Sequence, residues 1–246
     1  DFLAIQLDDH AEYLAHWQPV LLRALTQAGA TEAEGLVAAW SGHAAVDDAG
    51  YRLLREFEDS VTERAYVMLT VLPRKRWPDF HWHTPERFTE IALRMVQEQP
   101  ANLLDPRFAD WDAWLADAAM QAVRKLPDEC TSLARCTWGR VNTTRIQHPL
   151  SKALPFLARW LDMTSEPLPG DWAMPRVQGP AFGASERFAV SPGLEQQGYL
   201  HMPGGQSGHP LSPFYRVGYE AWARGEPTPF LPGAAEHVLN LMPAGR

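Results

Sequence analysis

At Pro127 the chain changes character: long periodic runs of apolar residues give way to frequent proline and glycine with short β-like runs between them. A chain of this kind is expected to fold as α+β, with a mainly helical segment over residues 1–126 and a segment with strands and Gly/Pro-rich loops over 127–246. At 246 residues and 46% hydrophobic content it can bury a substantial core.

In the first segment Leu7, Leu14, Trp17, Leu21 and Leu25 recur at helical spacing, with Gly29 as C-cap and Pro19 as a bend inside the run. Thr31 and Glu34 fit a Thr-x-x-Glu capping box opening a second helix. From Asp48 to about Thr70, Tyr51, Leu54, Phe57, Val61 and Met68 define an apolar face opposite Arg55, Glu56, Asp59 and Glu63, so packing is the role expected of this helix. Thr84-Pro85-Glu86 reads as the start of a helix continued by Phe88, Ile91 and Met95. Asp110 to Leu126 places Trp111, Trp114, Leu115, Ala118, Ala119 and Ala122 at buried spacing. After Pro127, strands are expected at Thr137 to Thr144, Glu186 to Ser191 and Gly198 to Met202. The last two would form a hairpin delivering a glycine-rich loop.

The formal charge of −8 gives no electrostatic footprint for nucleic acid, and Arg74-Lys75-Arg76 reads as a solvated loop. No apolar run approaches bilayer length, so the expectation is a soluble chain without membrane partners, opening on Asp1 as something processed or cut from a longer polypeptide. Cys130 and Cys136 either pair or remain two buried thiols. Pairing is favoured because no His or Cys nearby completes a zinc spacing, and a bridge would indicate an oxidising compartment.

His81-Trp82-His83 is a candidate metal pair without a third ligand, and a loop with surface histidines outweighs it. His10 and His16, near Asp8, Asp9 and Glu12, read as a solvated helix face. Serine-hydrolase chemistry has no Gly-x-Ser-x-Gly elbow to rest on, and Ser207 in Gly205-Gln206-Ser207-Gly208 reads as a turn residue. Trp17, Trp40, Trp111 and Trp114 fall at core spacing, while Trp160 and Trp172 stay open between core and pocket. Three glycines from Gly204 to Gly208, flanked by prolines, permit positive φ and close backbone approach.

A set of motifs carries a resemblance in consistent order. Trp138-Gly139 and Asn142 precede His148-Pro149-Leu150, then come Leu161-Asp162 with Pro167-Leu168-Pro169-Gly170-Asp171, then Gly183-Ala184-Ser185-x-Arg187. Gly205-Gln206-Ser207-Gly208-His209-Pro210 and Ser212-Pro213-x-Tyr215 close the series. Each is weak alone, but together the chain resembles the C-terminal part of the β chain in the penicillin acylase family of N-terminal-nucleophile hydrolases, including cephalosporin and N-acyl homoserine lactone acylases. Two positions depart from that pattern: Phe214 replaces the His of Ser-Pro-His-Tyr, and Ser191 stands where an Asp commonly closes the strand.

The resemblance implies an αββα sandwich of which this chain is one part, with autoproteolytic processing exposing an N-terminal serine as nucleophile and its own amine as base. Asp1 lacks the hydroxyl or thiol for that role, so the expectation is no catalytic residue in this chain and inactivity alone. The remaining acylase polypeptide, α chain and N-terminal part of the β chain, would be its partner. Ser185, Glu186 and Arg187 are the active-site supporting residues the resemblance implies. On a strand Glu186 and Arg187 must point to opposite faces, and an ordinary surface ion pair is the competing reading. No metal and no cofactor are implied. The substrates implied are small N-acyl amides, acyl homoserine lactones or penicillin-type β-lactams, met in the periplasm or outside the cell, as in quorum quenching or antibiotic degradation. The competing class is a non-catalytic helical binding or scaffold module.

Overall fold

The computed structural model describes residues 2–80, 85–126 and 130–243. In chain order the helices are α1 (Phe2–Gln6), α2 (Glu12–Ala15), α3 (Gln18–Ala28), α4 (Thr31–Ala38), α5 (Ala49–Arg76), α6 (Pro85–Glu98), α7 (Trp111–Lys125), α8 (Trp138–Val141), α9 (Pro149–Ala153), α10 (Ala158–Leu161) and α11 (Tyr219–Arg224). The strands are β1 (Gln178–Gly179), β2 (Phe182–Gly183), β3 (Arg187–Ala189) and β4 (Tyr199–His201). The content is mixed α+β, and every described strand follows the long helices.

Two compact units divide the chain, one comprising Asp8–Ile146 with Thr164–Ala181, the other Asp1–Leu7 with Gln147–Met163 and Phe182–Arg246. In the first, α5 is the central element. Asp48 caps it by accepting from the Tyr51 N–H at 2.8 Å, and α4, α6 and α7 pack against it. Asp110 caps α7 in the same way, at 2.8 Å from the Ala113 N–H. The buried row Ala118, Ala119 and Ala122 lets α3 lie close against α7, with Trp17, Phe57 and Trp114 filling the core. Each fully buried leucine or phenylalanine there contributes about 2 kcal/mol.

Several expectations change. The first helical run is three helices, and Pro19 lies in the first turn of α3, where its missing N–H costs nothing, instead of bending a continuous helix. Gly29 ends α3 at φ +69°, as read. No capping box forms, because Thr31 is already helical and Glu34 accepts instead from the Thr26 hydroxyl at 2.9 Å. Arg74, Lys75 and Arg76 are the last turn of α5 and not a loop, which suits the negative end of the helix. Ile91 is exposed, and Ala92 takes its place on the buried face of α6. Thr137 to Thr144 is not a strand: Trp138 packs edge-on against Tyr51 and its N–H bonds the Asp48 carbonyl, so tertiary packing selects the short helix α8. Thr84, His81 and His83 lie outside the described residues.

Cys130 and Cys136 are bonded. The loop they close is short, and chain entropy assigns it about 2 kcal/mol. Urea unfolding with and without reductant is expected to differ by that amount, and coincident curves would show the bridge to be energetically idle. Among the described residues no helix is long and apolar enough to cross a membrane.

In the other unit β3 pairs antiparallel with β4, with Arg187 opposite His201, Phe188 opposite Leu200 and Ala189 opposite Tyr199. The hairpin is the expected one. The second edge of β4 is covered by Thr228 to Phe230, through Leu200 N–H to Thr228 O and Phe230 N–H to Gly198 O, each 3.1 Å. From α1, Gln6 donates to the Phe188 carbonyl at 3.2 Å and accepts from the Tyr199 hydroxyl at 3.1 Å.

Candidate functional site

The motif residues of the first unit converge on Asp171. Gly139 fits against Val46 because a Cβ there would stand 2.6 Å from the Val46 Cγ1 and 2.9 Å from the Pro167 Cβ. The Trp138 indole donates to the Gly170 carbonyl at 2.8 Å, and buried Asn142 donates to the carbonyls of Leu168 and Gly170 at 2.8 and 2.9 Å. Gly170 adopts φ +101° with the Arg176 carbonyl only 2.3 Å from where a Cβ would be. These contacts fix the backbone that carries the next residue.

Asp171 is buried; its carboxylate accepts two hydrogen bonds, from the Tyr51 hydroxyl at 2.6 Å and the Trp172 N–H at 2.7 Å, and is ion-paired with the Arg55 guanidinium, whose Nε lies 2.9 Å away. Arg55 also donates to Glu58, which has no exposed surface, and lies 3.5 Å from Asp59. The Thr62 hydroxyl donates to the other oxygen of Glu58 at 3.2 Å. A cleft of about 190 Å³ opens above this cluster, walled by Leu14, Tyr13, Met174 and Trp172, with the Arg55 guanidinium 5.5 Å from the Trp172 ring centre. Tyr51 stays a neutral donor, since burial and the neighbouring carboxylate of Asp171 both push its hydroxyl upward. Burial also pushes the Glu58 carboxyl up to about 7, against the pull of Arg55 and with help from Asp59.

Raised above its unfolded value of 4.5, Glu58 holds its proton longer in the native state. Its contribution to stability is therefore full below about pH 4.5 and declines as pH rises through about 7. Glu58→Gln is expected to flatten that decline by on the order of 2 kcal/mol, read from urea unfolding at pH 5 and pH 8. An unchanged slope would mean that Glu58 ionises normally.

In the second unit, Arg187 is 3% exposed. Its guanidinium donates to the Trp222 carbonyl at 2.9 Å and lies 5.2 Å from that ring, while the Trp222 indole donates to the Ala184 carbonyl at 2.7 Å. A cation at the last turn of α11 is favoured by the helix dipole. Ser185 and Glu186 precede β3 and are exposed, whereas Arg187 is buried. His201, across from Arg187, donates from Nε2 to the Glu226 carbonyl, and burial, with Arg187 adding to it, lowers its pKa.

The glycine-rich loop is held by contact and not by positive φ, since none of Gly204, Gly205 and Gly208 adopts it. Gly205 donates to the Tyr215 carbonyl at 3.0 Å, and a Cβ on it would overlap the Phe214 carbonyl oxygen. The Ser207 hydroxyl accepts from the His209 N–H at 3.2 Å, a turn role as read from sequence. Tyr215 ties the loop back to the Leu161 carbonyl at 2.6 Å. At the His-Pro-Leu motif, Asp162 accepts from the His148 N–H at 2.9 Å and from the Ser151 hydroxyl at 2.5 Å.

A family model described as penicillin amidase matches residues 1–236. The chain belongs to the penicillin amidase family. No curated protein matches it at the level required. The family is one of amidohydrolases acting on acyl amides, and its members are typically processed into more than one chain. In this chain the sequence pattern places Arg55 on the solvent face of a packing helix; the structure buries it, because Asp171 and Glu58 supply its partners. Tyr51, Arg55 and Glu58 were thus missed as a site, although Asp171 stood in a recognised motif. The only local signal was acids three and four residues after Arg55. Of the two tryptophans left open, Trp172 walls the cleft and Trp160 lies exposed beneath Arg159 at 3.6 Å.

Proposed function

We propose that this chain is the C-terminal part of an extracytoplasmic N-acyl amide hydrolase with an αββα core, whose N-terminal serine nucleophile belongs to another polypeptide segment. The whole enzyme transfers the acyl group to that serine and then to water, taking acyl homoserine lactones or β-lactam side-chain amides. The observation that carries this reading is the family match over residues 1–236, joined by the framework roles of the motif residues. The Cys130–Cys136 bridge supports placement in the periplasm or outside the cell.

In this reading the segment Ser185-Glu186 leading into β3, with Arg187 at the start of that strand, borders the catalytic centre and supports the nucleophile's amine, Arg187 from its buried position and Glu186 from its exposed one. Arg187→Ala and Glu186→Gln in the complete enzyme, assayed on both substrate classes across pH, test it. A fall of roughly tenfold to a hundredfold in kcat with a shifted pH profile is expected for at least one of them. Unchanged kcat and pH profile in both folded variants would leave the strand a purely architectural element, and absence of amide turnover by the complete enzyme would overturn the assignment itself.

A further inference from the structure

We propose that His10 and His43 form a binding site for a divalent transition-metal ion of the copper, nickel and zinc class. Around them two short segments run antiparallel, joined by Ala11 N–H to Gly42 O and Ala44 N–H to Asp9 O, each 2.9 Å. His10 faces His43 between these bonds, at the non-hydrogen-bonded position where opposing side chains stand closest. Their ring centres are 3.8 Å apart. The solvated helix face expected for His10 is replaced by this cross-strand pair.

Each imidazole is oriented by a carboxylate. His43 Nδ1 lies 2.7 Å from Asp9 Oδ1, and His10 Nδ1 lies 3.3 Å from Asp8 Oδ1. A carboxylate only accepts, so both rings donate from Nδ1, and the neutral form of each keeps a lone pair on Nε2. That is the arrangement by which proteins hold metal-ligating histidines, fixing the tautomer and raising the basicity of the coordinating nitrogen. The side chains are 55% and 38% exposed, leaving an ion a path to them. Charge favours a cation as well, since Asp8 and Asp9 outnumber Arg176, the half-buried guanidinium that Asp9 also acts upon.

Among the described residues no three His, Cys, Asp or Glu side chains converge as ligands, so the protein gives two nitrogens and water completes the shell. Imidazole donors select copper, nickel or zinc over magnesium or calcium.

The test is calorimetric titration of the intact, chelator-stripped protein with nickel and copper, with the copper-loaded sample examined by EPR for two nitrogen donors. His10→Gln or His43→Gln should abolish the site, and Asp9→Asn, which leaves both imidazoles in place, should weaken it by about tenfold or more. The double variant His81→Gln/His83→Gln controls for the other histidine pair and should bind like the parent. Absence of binding, binding unchanged in His10→Gln and His43→Gln, or loss only in the His81/His83 variant would overturn the proposal.

Discussion

Replacing Arg55 with alanine should destabilise the protein by about 3–5 kcal/mol, the cost of removing one partner from a buried ionic cluster. Arg55 is the cation shared by Glu58 and Asp171, which are 0% and 4% exposed, and its loss leaves the Asp171 carboxylate in the core with no countercharge and Glu58 without its donor. The hydrogen bond from Tyr51 satisfies Asp171 only in part. Adding Asp171→Asn to Arg55→Ala should recover part of the loss, because the stranded charge is removed. Urea unfolding at pH 7 measures both variants, and a cost under about 1 kcal/mol for Arg55→Ala would place the guanidinium in the class of surface pairs.

Gly170→Ala should cost about 3 kcal/mol or more through backbone geometry. Its φ of +101° suits glycine, and the new methyl would stand 2.3 Å from the Arg176 carbonyl oxygen, which is backbone and cannot swing aside. Because the Gly170 carbonyl is also the acceptor for Trp138 and Asn142, the strain would spread to the peptide that presents Asp171. Thermal melts against the parent provide the comparison. Gly208→Ala, at a glycine whose added Cβ meets nothing within 4 Å, should be nearly neutral and serves as control. Equal melting of the two variants would show that the 167–171 segment relaxes freely.

What the sequence made legible was whatever is local. Helix α7 could be read in full, since Asp110 caps it and its tryptophans and alanines repeat at helical spacing within one segment. The β3–β4 hairpin was readable for the same reason, with its turn lying between the paired strands. Elements fixed by distant partners were not. The stretch at Thr137 has β-like residues, yet hydrogen bonds to Val46 and Asp48 wind it into a helical turn. Arg55 looks like a solvent residue until Asp171, far along the chain, is folded against it. The histidine pair escaped for that reason too, since His10 and His43 meet only through a bridge between separated segments. Family motifs succeeded where spacing failed, because they mark positions such as Asn142, Gly170 and Arg187 whose roles are to hold remote backbone.

The most direct measurement of the central claim is covalent capture of the nucleophile. The complete enzyme would be treated with a sulfonyl fluoride, which modifies activated hydroxyls, and the labelled residue located by peptide mass spectrometry. The predicted result is one label, on the first residue of a polypeptide segment other than these 246 residues, with loss of amide turnover in proportion to labelling. A label on Ser207, Ser185 or any other hydroxyl of this chain, with the same loss of activity, would contradict it.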